Sequence, residues 1–213
     1  MNTIESVYAE KKEIFRFANR KKKLEALKSL GVDPDSVSDV LNFLGPSAAE
    51  EDPQNLLDAP FESKPQLEQN FGNSSRFSDG SWPVFYAALE ESTALEEVKH
   101  HFLQALLGDP SSGRRASFEH FQCNYTGTTK NLCSKQSEWP DLTSDDYEFC
   151  QRLGRQAVNE KLDGFFAPSA KRIKGTTVPV FIRKSLSQPR PLGITVFTLD
   201  RNRGDIVKSR ETT

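Results

Sequence analysis

Arg76, Tyr86 and Glu97 stand ten and eleven residues apart in the segment RFSDGSWPVFYAALEESTALEEVKHHF, and their types invite a chemical reading. A guanidinium clamps an anionic group through paired, charge-assisted hydrogen bonds, and Arg76 sits beside the small turn Ser78-Asp79-Gly80-Ser81. Tyr86 offers an aromatic face on which a flat cation can stack. A carboxylate at Glu97 can stabilise positive charge that develops as a bond breaks. Each residue also has a plain structural role open to it. Arg76 can donate to loop carbonyls, Tyr86 can be core with its hydroxyl at the edge, and an acid in a first helical turn suits the helix dipole. Taken singly, these residue types do not decide the matter.

Other chemistries leave no trace. There is no G-x-S-x-G, H-E-x-x-H, G-x-x-x-x-G-K-[ST] or G-x-G-x-x-G. His100 and His101 are adjacent and would point about 100° apart on a helix, and His120 is alone, so no metal site is expected. Cys123, Cys133 and Cys150 form no C-x-x-C pair, which argues against a zinc site or a disulfide scaffold. Arg203-Gly204-Asp205 is read as a chance tripeptide in a basic tail.

The elements that must position these residues can be read along the chain. Tyr8, Phe15, Leu24, Leu27 and Leu30 among charges predict a helix over the first thirty residues, stopped by Gly31 and Pro34. Asp35 to Leu44 predicts a second, short helix. Residues 45–75 are rich in Pro, Ser, Asn and acids and read as connection, with a helical turn near Leu56-Leu57. Pro83 to Leu89 reads as a buried strand carrying Tyr86. Thr93 and Glu96 have capping-box spacing, and Leu95, Val98, Phe102 and Leu106 predict a helix closed by Gly108 and Pro110. Phe121, Cys123 and Tyr125 alternate as in a strand. A further helix is expected from Thr143 or Ser144 through Phe149, Leu153, Ala157 and Val158. Strands are expected at Gly164 to Ala167, Val178 to Ile182 and Ile194 to Leu199. The class is α+β.

Composition bounds the answer. The 213 residues are 36% hydrophobic and 27% charged, with 15 Phe, enough for a real core. No run approaches the ~18–20 apolar residues of a membrane span, and the N-terminus lacks a secretion pattern, so a cytoplasmic address is expected. The net charge of −2 conceals segregation: residues 1–30 carry +4, 31–70 carry −8, 71–169 carry −5 and 170–213 carry +7. A basic C-terminal quarter suits an anionic ligand or an acidic partner, or is simply solvated.

The Arg76–Tyr86–Glu97 block resembles the RES domain, whose hallmark reads Arg-aromatic, a Gly turn, Val-Leu-Tyr-x-Ala, then Thr-Ala-x-x-Glu-Val. The family's second block is similar to Gly164-Phe165-Phe166-Ala167-Pro168-Ser169-Ala170-Lys171-Arg172, followed by a turn and strand from Gly175 to Phe181. The resemblance runs from about 70 to 200 and implies a mixed or antiparallel β core with flanking helices, like that of ADP-ribosyltransferase toxins. On this reading residues 1–70 are a helical N-terminal extension and linker, 71–200 the NAD⁺-consuming domain and 201–213 a basic tail.

RES proteins are toxins of bacterial toxin–antitoxin pairs. The resemblance therefore implies an enzyme that cleaves the nicotinamide–ribose bond of NAD⁺ by phosphorolysis or hydrolysis. NAD⁺ would be its substrate rather than a cofactor, with inorganic phosphate as a co-substrate. It implies an Xre-like antitoxin as partner. Self-association is a further use open to the N-terminal residues, while the lack of an apolar span and a pI near 6.0 argue against membrane and nucleic-acid partners. Carried over by motif, Arg76, Tyr86 and Glu97 are catalytic, and Arg76, Tyr86, Ser169 and Arg172 bind substrate. Alternatives are ADP-ribosyl transfer to a protein, or a non-catalytic module that binds through the basic C-terminal region. One family feature has no clear counterpart: an Arg in a Trp-Arg-Ile-like first strand. Phe15-Arg16-Phe17 is the nearest match, within a stretch read as helix, and Lys64 is another basic residue open to the role.

Overall fold

The computed structural model describes residues 4–19, 53–63, 71, 74–108, 115–200 and 205–211. In chain order these form β1 (Ser6–Asn19), α1 (Pro53–Asp58), β2 (Phe85–Ala88), α2 (Glu91–Gly108) and β3 (Arg115–Asn131). There follow α3 (Glu148–Asn159), β4 (Gly164–Pro168), β5 (Thr176–Val180), β6 (Leu186–Asp200) and β7 (Asp205–Glu211). The expected α+β class is what the structure shows.

The seven strands run in the order β1-β2-β5-β4-β3-β6-β7, with an additional pairing between β1 and β3. That extra pairing makes five strands close on themselves. β1 runs antiparallel to β3 from Ser6↔Lys130 to Asn19↔Phe118 and meets β2 at Phe15↔Ala88. β2 pairs with β5, β5 with β4, and β4 lies parallel to the end of β3. The long β3 also carries β6 on its opposite edge, from Arg115↔Thr198 to Tyr125↔Leu186. β7 adds outside β6.

The aromatic supply is divided among three core clusters. One gathers Ile14, Leu57, Phe85, Phe121, Tyr125, Val178 and Val180 between strands of the closed ring. A second packs Phe77, Trp82, Leu142, Cys150, Leu153 and Phe165 beneath α3. The third sets Phe17, Phe102, Phe118 and Phe197 between α2 and the strands. Burying one large apolar side chain is worth about 1.5–3 kcal/mol, so these clusters dominate the fold's stability.

Several local expectations are corrected. Residues 6–19, read as helix, are the strand β1. Pairing with β3 overrides the helical propensity of the charged residues, and a bulge between Ala9 and Lys12 breaks the two-residue alternation that marks a strand. Residues assigned to an N-terminal extension thus supply a strand to the sheet, and α1 adds Leu56 and Leu57 to its core. Residues 20–30 and the helix expected at 35–44 lie outside the described residues. Thr93 is not a cap: α2 starts at Glu91, and Glu90 accepts from the Thr93 hydroxyl at 2.6 Å and from the Thr176 N–H at 3.1 Å. α3 starts at Glu148, later than expected, with Asp146 accepting the Glu148 N–H at 3.0 Å. Residues 205–211, read as tail, are the outer strand β7. No described helix is long and apolar enough to cross a membrane.

Candidate functional site

Arg76 sits at the tip of a tight turn in which Ser75 and Ser78 exchange backbone hydrogen bonds of 2.7 and 3.3 Å. Its neighbour Phe77 is buried in the core, and burying one of two adjacent side chains turns the other outward. Three contacts hold the Arg76 guanidinium. Its Nη1 donates to the Leu142 carbonyl at 3.2 Å and the Ser144 carbonyl at 2.5 Å, and its carbon lies 4.8 Å from the centre of the Tyr147 ring. The turn itself is braced by Gln151 of α3, which donates to the Ser75 carbonyl at 3.0 Å. The bracing requires glycine at 154, where a methyl group would lie 2.1 Å from the Phe77 carbonyl oxygen.

Tyr86 comes from β2. Its hydroxyl accepts from the Phe77 N–H at 2.8 Å and shares a 2.9 Å hydrogen bond with Ser75 Oγ. Burial pushes the phenol pKa up to about 12, opposed by those hydrogen bonds, so the ring is neutral at physiological pH. On the other side of Tyr86, Arg16 of β1 donates to the Tyr86 carbonyl at 2.8 Å and lies 4.5 Å over the Phe85 ring. Burial lowers the Arg16 pKa to about 10, and its Nε is buried without a hydrogen-bond partner. The guanidinium is still charged at neutral pH.

Glu97 stands on α2 and accepts a 2.6 Å hydrogen bond from Ser169 Oγ. That hydroxyl in turn accepts the N–H groups of Lys171 at 3.1 Å and Arg172 at 2.9 Å. Arg172 reaches Thr93 Oγ1 at 3.2 Å. His101, one turn beyond Glu97, is held below the ordinary imidazole range by desolvation, with Glu97 opposing.

These side chains meet at a cavity of about 450 Å³ lined by Arg16, Arg76, Tyr86, Glu97, Tyr147 and Lys171, among others. The volume lies in the range of small-molecule and cofactor pockets. The three residues singled out in the sequence are therefore brought together. Ser169 stands behind Glu97, and Arg172 is tied to Thr93 rather than to the wall. The acidic turn residue Asp79 is taken up by Arg155 at 2.5 Å and by Ser81.

Sequence reasoning missed Tyr147 and the Phe15 and Phe17 walls, and gave Arg16 only as a nearest match. The available signal was the aromatic-Arg-aromatic triplet, which alternates as a strand does. In chemical terms the wall offers three cations, one carboxylate with a dedicated donor, and two phenol rings. That set suits a ligand with both anionic groups and a flat or cationic one.

The RES domain family model matches residues 27–200. No curated protein matches the sequence. Among solved structures, the crystal structure of the M. tuberculosis MbcT–MbcA toxin–antitoxin complex is similar in fold. Its TM-score is 0.50 at 15% identity, over 88% of this chain and 87% of that chain.

Proposed function

The chain belongs to the RES domain family, and on that premise we propose that it is the toxin of a toxin–antitoxin pair and removes NAD⁺ by breaking the nicotinamide–ribose bond. The observation that carries this reading is the convergence of Arg16, Arg76, Tyr86 and Glu97 on one cavity from β1, the 75–78 turn, β2 and α2. A dinucleotide presents each wall with a counterpart: pyrophosphate for the guanidinium groups, the flat nicotinamide cation for an aromatic ring, and ribose for the carboxylate.

In the reaction, the C–N bond breaks and its electron pair leaves with the nicotinamide nitrogen, which becomes neutral. The ribose acquires oxocarbenium character. Glu97 stabilises that positive charge, and the Ser169 hydroxyl fixes which way the carboxylate faces. A phosphate oxygen or a water oxygen then bonds to the ribose carbon from the other side. With water, the surplus proton is released to solvent. An antitoxin protein holds the enzyme inactive, as the neighbouring toxin is found with its antitoxin.

The test is to incubate purified protein with NAD⁺, with and without phosphate, and follow nicotinamide release. Glu97→Ala is expected to lose on the order of 10²–10³ in rate. Phosphate-dependent product selects phosphorolysis, and label from NAD⁺ on proteins of a lysate selects ADP-ribosyl transfer. Absence of turnover by the wild-type protein sinks the reading. Growth arrest on expression, relieved by the product of an adjacent gene, tests the toxin half.

A further inference from the structure

The loop 142–147 touches two cavity cations that reach it from different parts of the chain. Arg76 comes from the turn before β2, and Lys171 from the segment after β4. Arg76 is held by the carbonyls of Leu142 and Ser144 and by the face of Tyr147. Lys171 Nζ donates to Asp145 Oδ1 at 3.2 Å. The loop is itself firmly placed. Leu142 is wholly buried, the Asp146 N–H donates to Ser144 Oγ at 3.1 Å, and the Glu148 N–H donates to Asp146 Oδ1 at 3.0 Å.

We infer that this loop is a positioning element which, through Tyr147 and Asp145, sets Arg76 and Lys171 for a pyrophosphate group in the cavity. The kind of partner matters. Backbone carbonyls and a ring face fix a guanidinium without a neutralising carboxylate, so Arg76 keeps a net positive charge for an anion. The Asp145 side chain is 89% exposed and that of Lys171 16%, so water reaches the pair from the carboxylate's side and screens it there. The inference rests on the NAD⁺ reading, yet it can be measured without turnover.

The experiment is a double-mutant cycle between Tyr147→Leu and Arg76→Ala. It is read by calorimetric affinity for inorganic pyrophosphate and, separately, by KM and kcat for nicotinamide release. Tyr147→Leu is expected to weaken pyrophosphate and raise KM by about tenfold, with kcat within about twofold of wild type. Tyr147→Phe keeps the ring over Arg76 and is expected to lose less than Tyr147→Leu in both readouts. In the Arg76→Ala background the Leu substitution is expected to add nothing. An equal loss in that background, or no loss in either, overturns the role of Tyr147. Asp145→Ala removes the acceptor of Lys171, lies on the surface and leaves the fold intact. A positioning role predicts weaker pyrophosphate binding, whereas a merely repulsive carboxylate predicts tighter binding and overturns the role of Asp145. A wild type that binds no pyrophosphate overturns the inference as a whole. A wild type that binds it but releases no nicotinamide overturns the NAD⁺ reading and leaves the cycle to decide the loop.

Discussion

Ser169 Oγ donates to Glu97 Oε1 at 2.6 Å while accepting two backbone N–H groups from its own turn, so its single proton has only one place to go. The geometry orients the carboxylate with a donor whose direction is already settled. Hydrogen bonds to charged groups are worth about 1.5–3 kcal/mol. Ser169→Ala should therefore lower kcat for nicotinamide release by roughly 10–100-fold, with KM for NAD⁺ little changed. A change confined to KM would mean that Ser169 meets the substrate rather than Glu97.

Arg16 should separate activity from stability. Its pKa lies below that of a free guanidinium because burial disfavours the charged form. That penalty is present in full at neutral pH and is relieved as pH climbs through about 10 toward the unfolded value. Arg16→Met removes the charge and keeps the volume. Nicotinamide release should fall by at least about 10²-fold, while the thermal midpoint at pH 7 stays level or rises. A variant that melts several degrees lower yet keeps its activity would make Arg16 a structural residue.

The alkaline limb of the pH profile follows from the same group. The cavity needs the protonated guanidinium, so the rate should fall as pH rises through about 10. Tyr86, pushed up to about 12, contributes nothing in that range. The measurement is initial rate against pH from 7 to 10.5, with a stability control at each point. A rate that is unchanged through pH 10.5 counts against Arg16 as an anion-binding group.

Tyr86→Phe deletes the acceptor of the Phe77 N–H and the partner of Ser75. An orphaned buried donor costs about 1–3 kcal/mol, which urea denaturation would register. Because Phe77 adjoins Arg76, the same variant should raise KM for NAD⁺. Unaltered stability would show that water or another group takes the hydroxyl's place.

Gly154→Ala tests the seat of the 75–78 turn. The added methyl would overlap the Phe77 carbonyl oxygen, and backbone cannot step aside as a flexible side chain does. Overpacking of this kind costs typically about 1–3 kcal/mol. A variant as stable as wild type would mean that α3 slides on the turn at no expense.

The sequence disclosed α2 and α3 well, because a 3.6-residue period is written within one short stretch. Leu95, Val98, Phe102 and Leu106 needed no distant partner to be recognised. β1 was hidden because its bulge and its charges mask the alternation. Its partner residues, 118–130, lie 99 to 124 positions downstream of the residues they pair with. Arg16 was obscured with it. Arg76, Tyr86 and Glu97 were legible as a motif, since their spacing repeats a known block. Lys171 stood inside the second block, Gly164 to Arg172, without a separate role there. Tyr147 had no such frame, because it enters the cavity through the fold of a loop, which has no period to read.

The closed ring of strands also orders events in time. β1 is made before the other four strands of the ring, yet its partners in β3 and the β2–β5–β4 segment that completes the circle extend to Val180. Pairing across so long a separation is paid for late, after most of the loop-closure entropy has been spent. A nascent chain halted before that residue holds Arg16, Arg76 and Glu97 but no enclosure to share between them. The cavity is therefore assembled only once Val180 is in place, because the ring of strands cannot close before it.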